Sequence, residues 1–283
     1  MLLIFGACSQ KVTYLDSDYP NLEPKKYAKG IINVEGRFQQ NLTMSPDGKE
    51  HLLTITDSEE WRYQNILRVR NLGNEIVTDT PSIITDFEFS NVPFIGEPMI
   101  SPDNQSLFFI ADYPPDLWRS KRQADGEWSV PYKMSEVSTD KDDWYPTLSK
   151  NNTLYFTNGT VYQSTPKNSK YVVREEIQSE FNTQDARDAC ISPNEDYIIF
   201  TAIDSLGYGK SDLYISFKNE KGIWSKSINL GNSINTEHRE FAPYISPDEQ
   251  FLFFSRRDTW QNAKFSNIYW VSLKVIDGLN PNK

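Results

Sequence analysis

The stretch Glu240-Phe-Ala-Pro-Tyr-Ile-Ser-Pro-Asp-Glu-Gln-Phe-Leu-Phe-Phe254 reads as a strand, a tight turn and a second strand. Pro247 fixes φ at the first corner of a type I turn. Ser246 and Asp248 carry side-chain oxygens that can fold back onto the turn's N–H groups. The run from Phe251 to Phe254 is apolar without alternation, the pattern of a strand covered on both faces.

The phrase repeats. Turns stand at Ser45-Pro46-Asp47-Gly48, Ser101-Pro102-Asp103-Asn104, Ser192-Pro193-Asn194-Glu195 and Ser246-Pro247-Asp248-Glu249, with a degraded copy at Ser149-Lys150-Asn151-Asn152. Each is followed by an apolar strand, such as Leu107-Phe108-Phe109 or Ile198-Ile199-Phe200, and then by a third strand, such as Asp116-Leu117-Trp118 or Asp212-Leu213-Tyr214. Two copies add a Gly-x-Trp edge, at Gly126-Glu127-Trp128 and Gly222-Ile223-Trp224. Three or four short strands at a period of roughly 43 to 56 residues match a propeller blade.

The Ser-Pro-Asp-Gly turn followed by an apolar strand and Asp-Leu-Tyr resembles the WD40-like "PD" propeller repeat of TolB-like exported bacterial proteins. The resemblance covers about residues 27 to 273. It implies a fold and leaves the activity open, because one fold hosts many functions. The expected architecture is all-β, a single β-propeller. It has five blades on the count of turns, or six if one blade has lost its signature. The outer strand Ala28–Val34 is expected to pair with Asn267–Leu273 and so close the ring without an open edge.

The start of the chain reads differently. Residues 1–8 are apolar and end in Phe-Gly-Ala-Cys8, which resembles a bacterial lipobox, so Cys8 is the expected lipidation site. The run is short and has no basic stretch before it, which points to a start further upstream. Ser9 would permit sorting to the outer membrane in the lipoproteins it resembles. Residues 9–26 read as a tether or irregular lead-in, and 27–283 as the propeller domain. Localisation is therefore expected in the cell envelope, with the membrane reached through the lipid anchor only. Cys190, the one other cysteine, reads as a small buried hydrophobe.

A formal charge of −10 argues against a nucleic-acid partner. Asp140-Lys-Asp-Asp143 lacks the glycine and ligand spacing of an EF-hand, so no metal and no cofactor is expected.

Polar residues gather four to seven positions before the turn serines, at the starting ends of the inner strands. They are Gln40, Asn41, Glu97, Asp143, Trp144, Arg187, Asp188, Arg239 and Glu240, with His238 adjacent. A closed ring brings them to one channel mouth, and such convergence is what a ligand site needs. The favoured reading is a non-catalytic binding or scaffold module for an envelope protein or glycan. The alternative is a glycoside hydrolase or polysaccharide lyase using two of Glu97, Asp143, Asp188 and Glu240. A purely structural scaffold, with partners on the blade sides, is a third reading. Trp118, Trp128, Tyr214, Trp224 and Tyr269 recur at matching places and read as packing between blades.

Overall fold

The computed structural model describes residues 11–57, 63–80, 94–183 and 185–281, and within them the turn phrases organise five antiparallel four-stranded sheets. Cys8, the apolar run before it and Ser9 lie outside the described residues. A short strand β1 (Lys25–Lys26) precedes the first blade, which holds β2 (Phe38–Met44), β3 (Glu50–Thr56), β4 (Gln64–Asn71) and β5 (Ile76–Asp79). The second holds β6 (Ile95–Ile100), β7 (Ser106–Ala111), β8 (Asp116–Lys121) and β9 (Tyr132–Lys133). The third holds β10 (Trp144–Leu148), β11 (Leu154–Thr157), β12 (Val161–Ser164) and β13 (Glu175–Glu176). In the fourth are β14 (Arg187–Ile191), β15 (Tyr197–Ala202), β16 (Asp212–Phe217) and β17 (Ile228–Asn229). The fifth joins β18 (Arg239–Ile245), β19 (Phe251–Arg257) and β20 (Ser266–Ser272) to β1. The molecule is an all-β, five-bladed propeller.

The unbroken apolar runs serve two interfaces at once. Successive strand side chains point to opposite faces, and a propeller blade has a neighbour on each. Phe253 joins the cluster holding Tyr27, Tyr244 and Trp270, whereas Leu252 and Phe254 join the one holding Leu213 and Ile215. Phe108 likewise faces one neighbour while Leu107 and Phe109 face the other. The recurring aromatics fill these interfaces too: Trp128 and Trp118 pack in the cluster of the first two blades, and Tyr214 and Trp224 in that of the third and fourth.

The turns close as their chemistry dictates. The Ser246 hydroxyl donates to Asp248 at 2.8 Å and accepts from the Phe251 N–H at 2.9 Å. In the fourth blade Asn194 stands where the first, second and fifth have aspartate, and Ser192 donates to Asp196 instead, at 2.7 Å. The third blade, without Pro-Asp, keeps the Ser149 hydroxyl as acceptor for the Thr153 N–H at 3.2 Å.

Ring closure differs from the sequence reading in position. The outer strand is Lys25–Lys26, paired with Trp270 and Tyr269, and not Ala28–Val34. From Ala28, at φ +44°, the chain turns back on itself, with the Ile32 N–H bonded to the Ala28 carbonyl. The Asn33 side chain then acts as a substitute backbone. Its amide donates to the carbonyls of Tyr27 (2.6 Å) and Ile268 (2.8 Å), and its oxygen accepts the Ile268 N–H at 2.9 Å.

Residues 11–24 lie against the turn side of the ring. The Thr13 N–H bonds the Asp47 carbonyl at 2.8 Å, and the Tyr14 hydroxyl donates to Asp248 at 2.5 Å. Tyr14 and Tyr19 pack on Phe251 and Trp270, and Val12 is buried in the core. Gly48 is required twice over: its φ is +71°, and a Cβ there would stand 2.2 Å from the Thr13 carbonyl oxygen.

His51 is fully buried, with Nε2 2.9 Å from the Tyr27 hydroxyl, and burial pushes its pKa down to about 3. Below about pH 6.5 the unfolded chain binds a proton there that the folded chain refuses. The stabilisation is complete above that pH and is lost as pH falls toward 3, at up to about 1.4 kcal/mol per pH unit. Urea unfolding of wild type and His51→Gln at pH 7, 6 and 5 is expected to show the wild type losing ground to the variant on acidification. A constant difference would mean that His51 takes its proton in the fold.

Candidate functional site

Each inner strand carries an extra residue four positions before its turn serine: Asn41, Glu97, Tyr145, Asp188 and Ala242. The pairing register with the second strand slips there in every blade. All five have positive φ, between 46° and 55°. A bulge of this kind re-aims a side chain and takes one backbone N–H out of the ladder, and a buried N–H needs a partner. In four of the five the partner is a side chain of the preceding blade. Asn41 N–H bonds the Ser255 hydroxyl at 3.0 Å, and Glu97 N–H bonds that of Thr54 at 2.8 Å. Ala242 N–H bonds Asp188 Oδ2 at 3.3 Å, and that oxygen also accepts from the Thr201 hydroxyl. Thr54, Thr201 and Ser255 occupy matching second-strand positions; the second blade has Ile110 there, which has no hydroxyl. Glu97 makes good the loss: its own Oε2 accepts the Tyr145 N–H at 2.6 Å.

The bulge also turns Tyr145 across the ring axis, where its hydroxyl donates to the Pro243 carbonyl at 2.8 Å. Tyr244 reaches the first blade, accepting the Met44 N–H at 3.3 Å. The channel holds a cavity on the turn side, with Tyr244 in its lining, and a pocket at the opposite mouth.

The mouth pocket, about 730 Å³, lies over the third, fourth and fifth blades and the edge of the second. Of the residues expected there, Glu97, Trp144, Arg187, Asp188 and Arg239 line it. The other five stand elsewhere. Asp143 is buried and caps its own connecting loop, accepting from the Thr139 N–H (2.7 Å) and hydroxyl (2.8 Å). Glu240 does the same for Thr236 and pairs with Arg256 at 2.5 Å. Gln40 and Asn41 are buried in the first blade, away from the pocket. His238 packs edge-on against Phe265 outside it.

Loops between second and third strands supply what the repeat pattern could not show: Asn158, Ile203, Trp260 and Gln261. No recurring signature marks these loops. Aromatics also stand in the corresponding loops of other blades, such as Tyr113 and Tyr208, so nothing in the sequence singled out Trp260.

The pocket's carboxyls are perturbed. Burial, and then the charge of Asp188, push Glu97 well above the usual range. Burial raises Asp188 as well, against the hydrogen bonds from Ala242 and Thr201 that lower it. Asp143, outside the pocket, is pushed up to about 6 by burial. Arg187 is bound to Asp185 at 2.6 Å. Arg239 lies over the Trp260 ring at 4.8 Å. Among the described residues, no three His, Cys, Asp or Glu side chains converge closely enough to hold a metal ion.

The turn-side cavity, about 700 Å³, has Met44, Met99, Cys190 and Tyr244 among its lining and Lys11 and Val12 at its edge. Cys190 is buried there, and burial pushes its thiol up to about 12, far from the thiolate a nucleophile needs.

No protein-family profile and no curated protein matches the sequence. Solved structures share the fold. TolB from Acinetobacter baumannii is 16% identical with a TM-score of 0.51, over 83% of this chain and 55% of that one. A thermostable family-43 glycoside hydrolase is 9% identical with a TM-score of 0.53, over 89% and 91%. An α-L-arabinofuranosidase from Lactobacillus brevis is 12% identical with a TM-score of 0.52, over 89% and 92%. The chain thus spans little more than half the length of that TolB.

The bond from Tyr145 to Glu97 sets a direct test. Glu97→Gln keeps an oxygen for the Tyr145 N–H and is expected to fold at pH 7 with stability equal to or above wild type. Glu97→Ala leaves that N–H unpaired and is expected to cost about 1–3 kcal/mol in urea unfolding. Because the folded-state pKa of Glu97 is raised, wild-type stability falls as pH climbs from about 4.5 through the raised value. Glu97→Gln is expected to remove that component.

Proposed function

We propose that this chain is a non-catalytic, lipid-anchored β-propeller of the cell envelope, with the repeat type of the TolB-like "PD" propellers. Its mouth pocket receives a polar partner, a glycan or a protein segment. One observation carries the binding reading: the two inner-strand carboxyls that line the pocket, Glu97 and Asp188, already have structural duties. Glu97 holds the Tyr145 N–H and Asp188 holds the Ala242 N–H, so moving either to serve chemistry would unbrace an inner strand. Asp143 and Glu240 are committed to loops outside the pocket. The volume, two indole rings and several neutral hydrogen-bonding side chains suit recognition. The envelope and the anchor rest on Phe-Gly-Ala-Cys8 in the sequence.

A second reading has its own support. Glu97 and Asp188 share one pocket, and the charge of Asp188 favours the protonated form of Glu97. One carboxyl held as an acid beside another is the starting point of glycoside hydrolysis, and the fold is shared with a family-43 glycoside hydrolase.

The two readings separate in one experiment. Thermal shift of residues 11–283 against neutral and acidic oligosaccharides and envelope-derived peptides is expected to find a stabilising ligand. Trp144→Ala is expected to weaken its binding by roughly tenfold or more, a loss of about 1.4 kcal/mol. Asp188→Asn is expected to leave binding intact, with no product formed by wild type. Turnover of the bound saccharide by wild type, abolished in Asp188→Asn, would establish the hydrolase. For the anchor, metabolic labelling with a fatty-acid analogue is expected to mark wild type and to miss Cys8→Ser.

A further inference from the structure

The mouth pocket has an imbalance that a particular ligand would correct. Arg187 and Arg239 both line it, and the charge of one bears on the other. Arg187 has Asp185 as its ion-pair partner. Arg239 has no carboxylate within salt-bridge distance among the described residues, and its Nε is buried without a hydrogen-bond partner. Among the described residues its side chain makes one hydrogen bond, a long contact from a terminal nitrogen to the Lys210 carbonyl at 3.4 Å. Like charges facing one pocket and a buried donor left unpaired both cost free energy. An anion bound by both guanidiniums offsets the repulsion and gives Arg239 the charged partner it lacks among the described residues. The chain carries a net charge of −10, so an anion needs local cations to bind at all, and Lys141 joins the two arginines here.

The remaining lining indicates what the anion is attached to. Trp260 and Trp144 supply aromatic faces, while Thr157, Asn158, Thr201 and Gln261 supply neutral donors and acceptors. Ile203 is the one large aliphatic side chain among the lining residues. That composition suits a hydroxyl-rich ring better than the apolar side chains of a peptide. Glu97, Asp142, Asp185 and Asp188 stand in the same pocket, which favours a single negative charge over the double charge of a phosphate monoester.

We propose that the pocket binds an acidic saccharide of the uronate type. Its carboxylate lies between Arg187 and Arg239, and its ring lies against the indole of Trp260. The assignment rests on the binding function above and adds the ligand's chemical class to it.

The test is calorimetric titration of the protein with trisaccharides of galacturonate and of mannuronate and a glucuronate-containing hyaluronan oligomer, each beside its methyl ester. At least one free acid is expected to bind, with its ester weaker by roughly 10- to 100-fold, as for loss of charged hydrogen bonds. Arg239→Gln and Arg187→Gln are each expected to weaken the free acid by a similar factor and to leave the ester's affinity unchanged. Unchanged thermal midpoints would show that both variants fold. Equal binding of acid and ester overturns the uronate assignment and leaves a saccharide-binding pocket standing. Binding of acidic peptides with no response to any uronate overturns the assignment in favour of a protein partner. Silence to every saccharide and peptide overturns both this assignment and the binding function.

Discussion

Five inner strands must bend around a common axis without leaving backbone donors stranded in a dry interior, and the solution to that constraint shapes the rest of the molecule. Each strand inserts one residue at positive φ, and in four blades the displaced N–H is taken by a side chain of the blade before it. The same bond that relaxes one strand therefore ties it to its neighbour. Where the matching second-strand hydroxyl takes the N–H itself, as with Thr54 and Ser255, the tie is neutral and small. In the fourth blade Thr201 donates instead to Asp188, whose carboxyl takes the N–H. Where Ile110 replaces the hydroxyl, a carboxyl is drawn in from Glu97. Glu97 and Asp188 at the channel mouth thus have duties in the backbone before any ligand is considered.

The inserted residues also account for the pocket's lopsided placement. Asn41 and Ala242 are buried or small, Tyr145 crosses the axis, and Glu97 and Asp188 are left beside the open space. Loops between second and third strands then wall that space on the side of the third to fifth blades. A channel that the repeat would make five-fold becomes two unlike compartments: one floored by methionines and a cysteine, the other rimmed by charges and indoles.

Much of this architecture could be read from the chain because its causes are local. Serine, proline and aspartate specify a turn within four residues, and apolar runs such as Phe251–Phe254 specify a strand with neighbours on both faces. The closing strand was misplaced by a few residues because Ile31 and Ile32 look like strand, whereas Asn33 replaces backbone pairing with its amide. The site was half legible. Counting back from the turn serine found five residues that line the mouth pocket: Glu97, Trp144, Arg187, Asp188 and Arg239. It could not show that the bulge separates adjacent positions, so that Asp143 turns to its own loop while Tyr145, two residues on, crosses the channel. Nor could it find Trp260, which a loop of no fixed pattern brings into place.

The strap over the turn side carries a mechanical implication. Thr13 is bonded to the first blade and Tyr14 to the fifth, so tension arriving from the N-terminal side of Thr13 meets both sides of the ring's seam. A pull from that direction loads both blades together and presses the strap's aromatic rings along Phe251 and Trp270. The closing strand behind it, only two residues long, is spared from being peeled away bond by bond. A propeller hung by this end would bear tension where its ring is joined, while its pocket opens on the unloaded side.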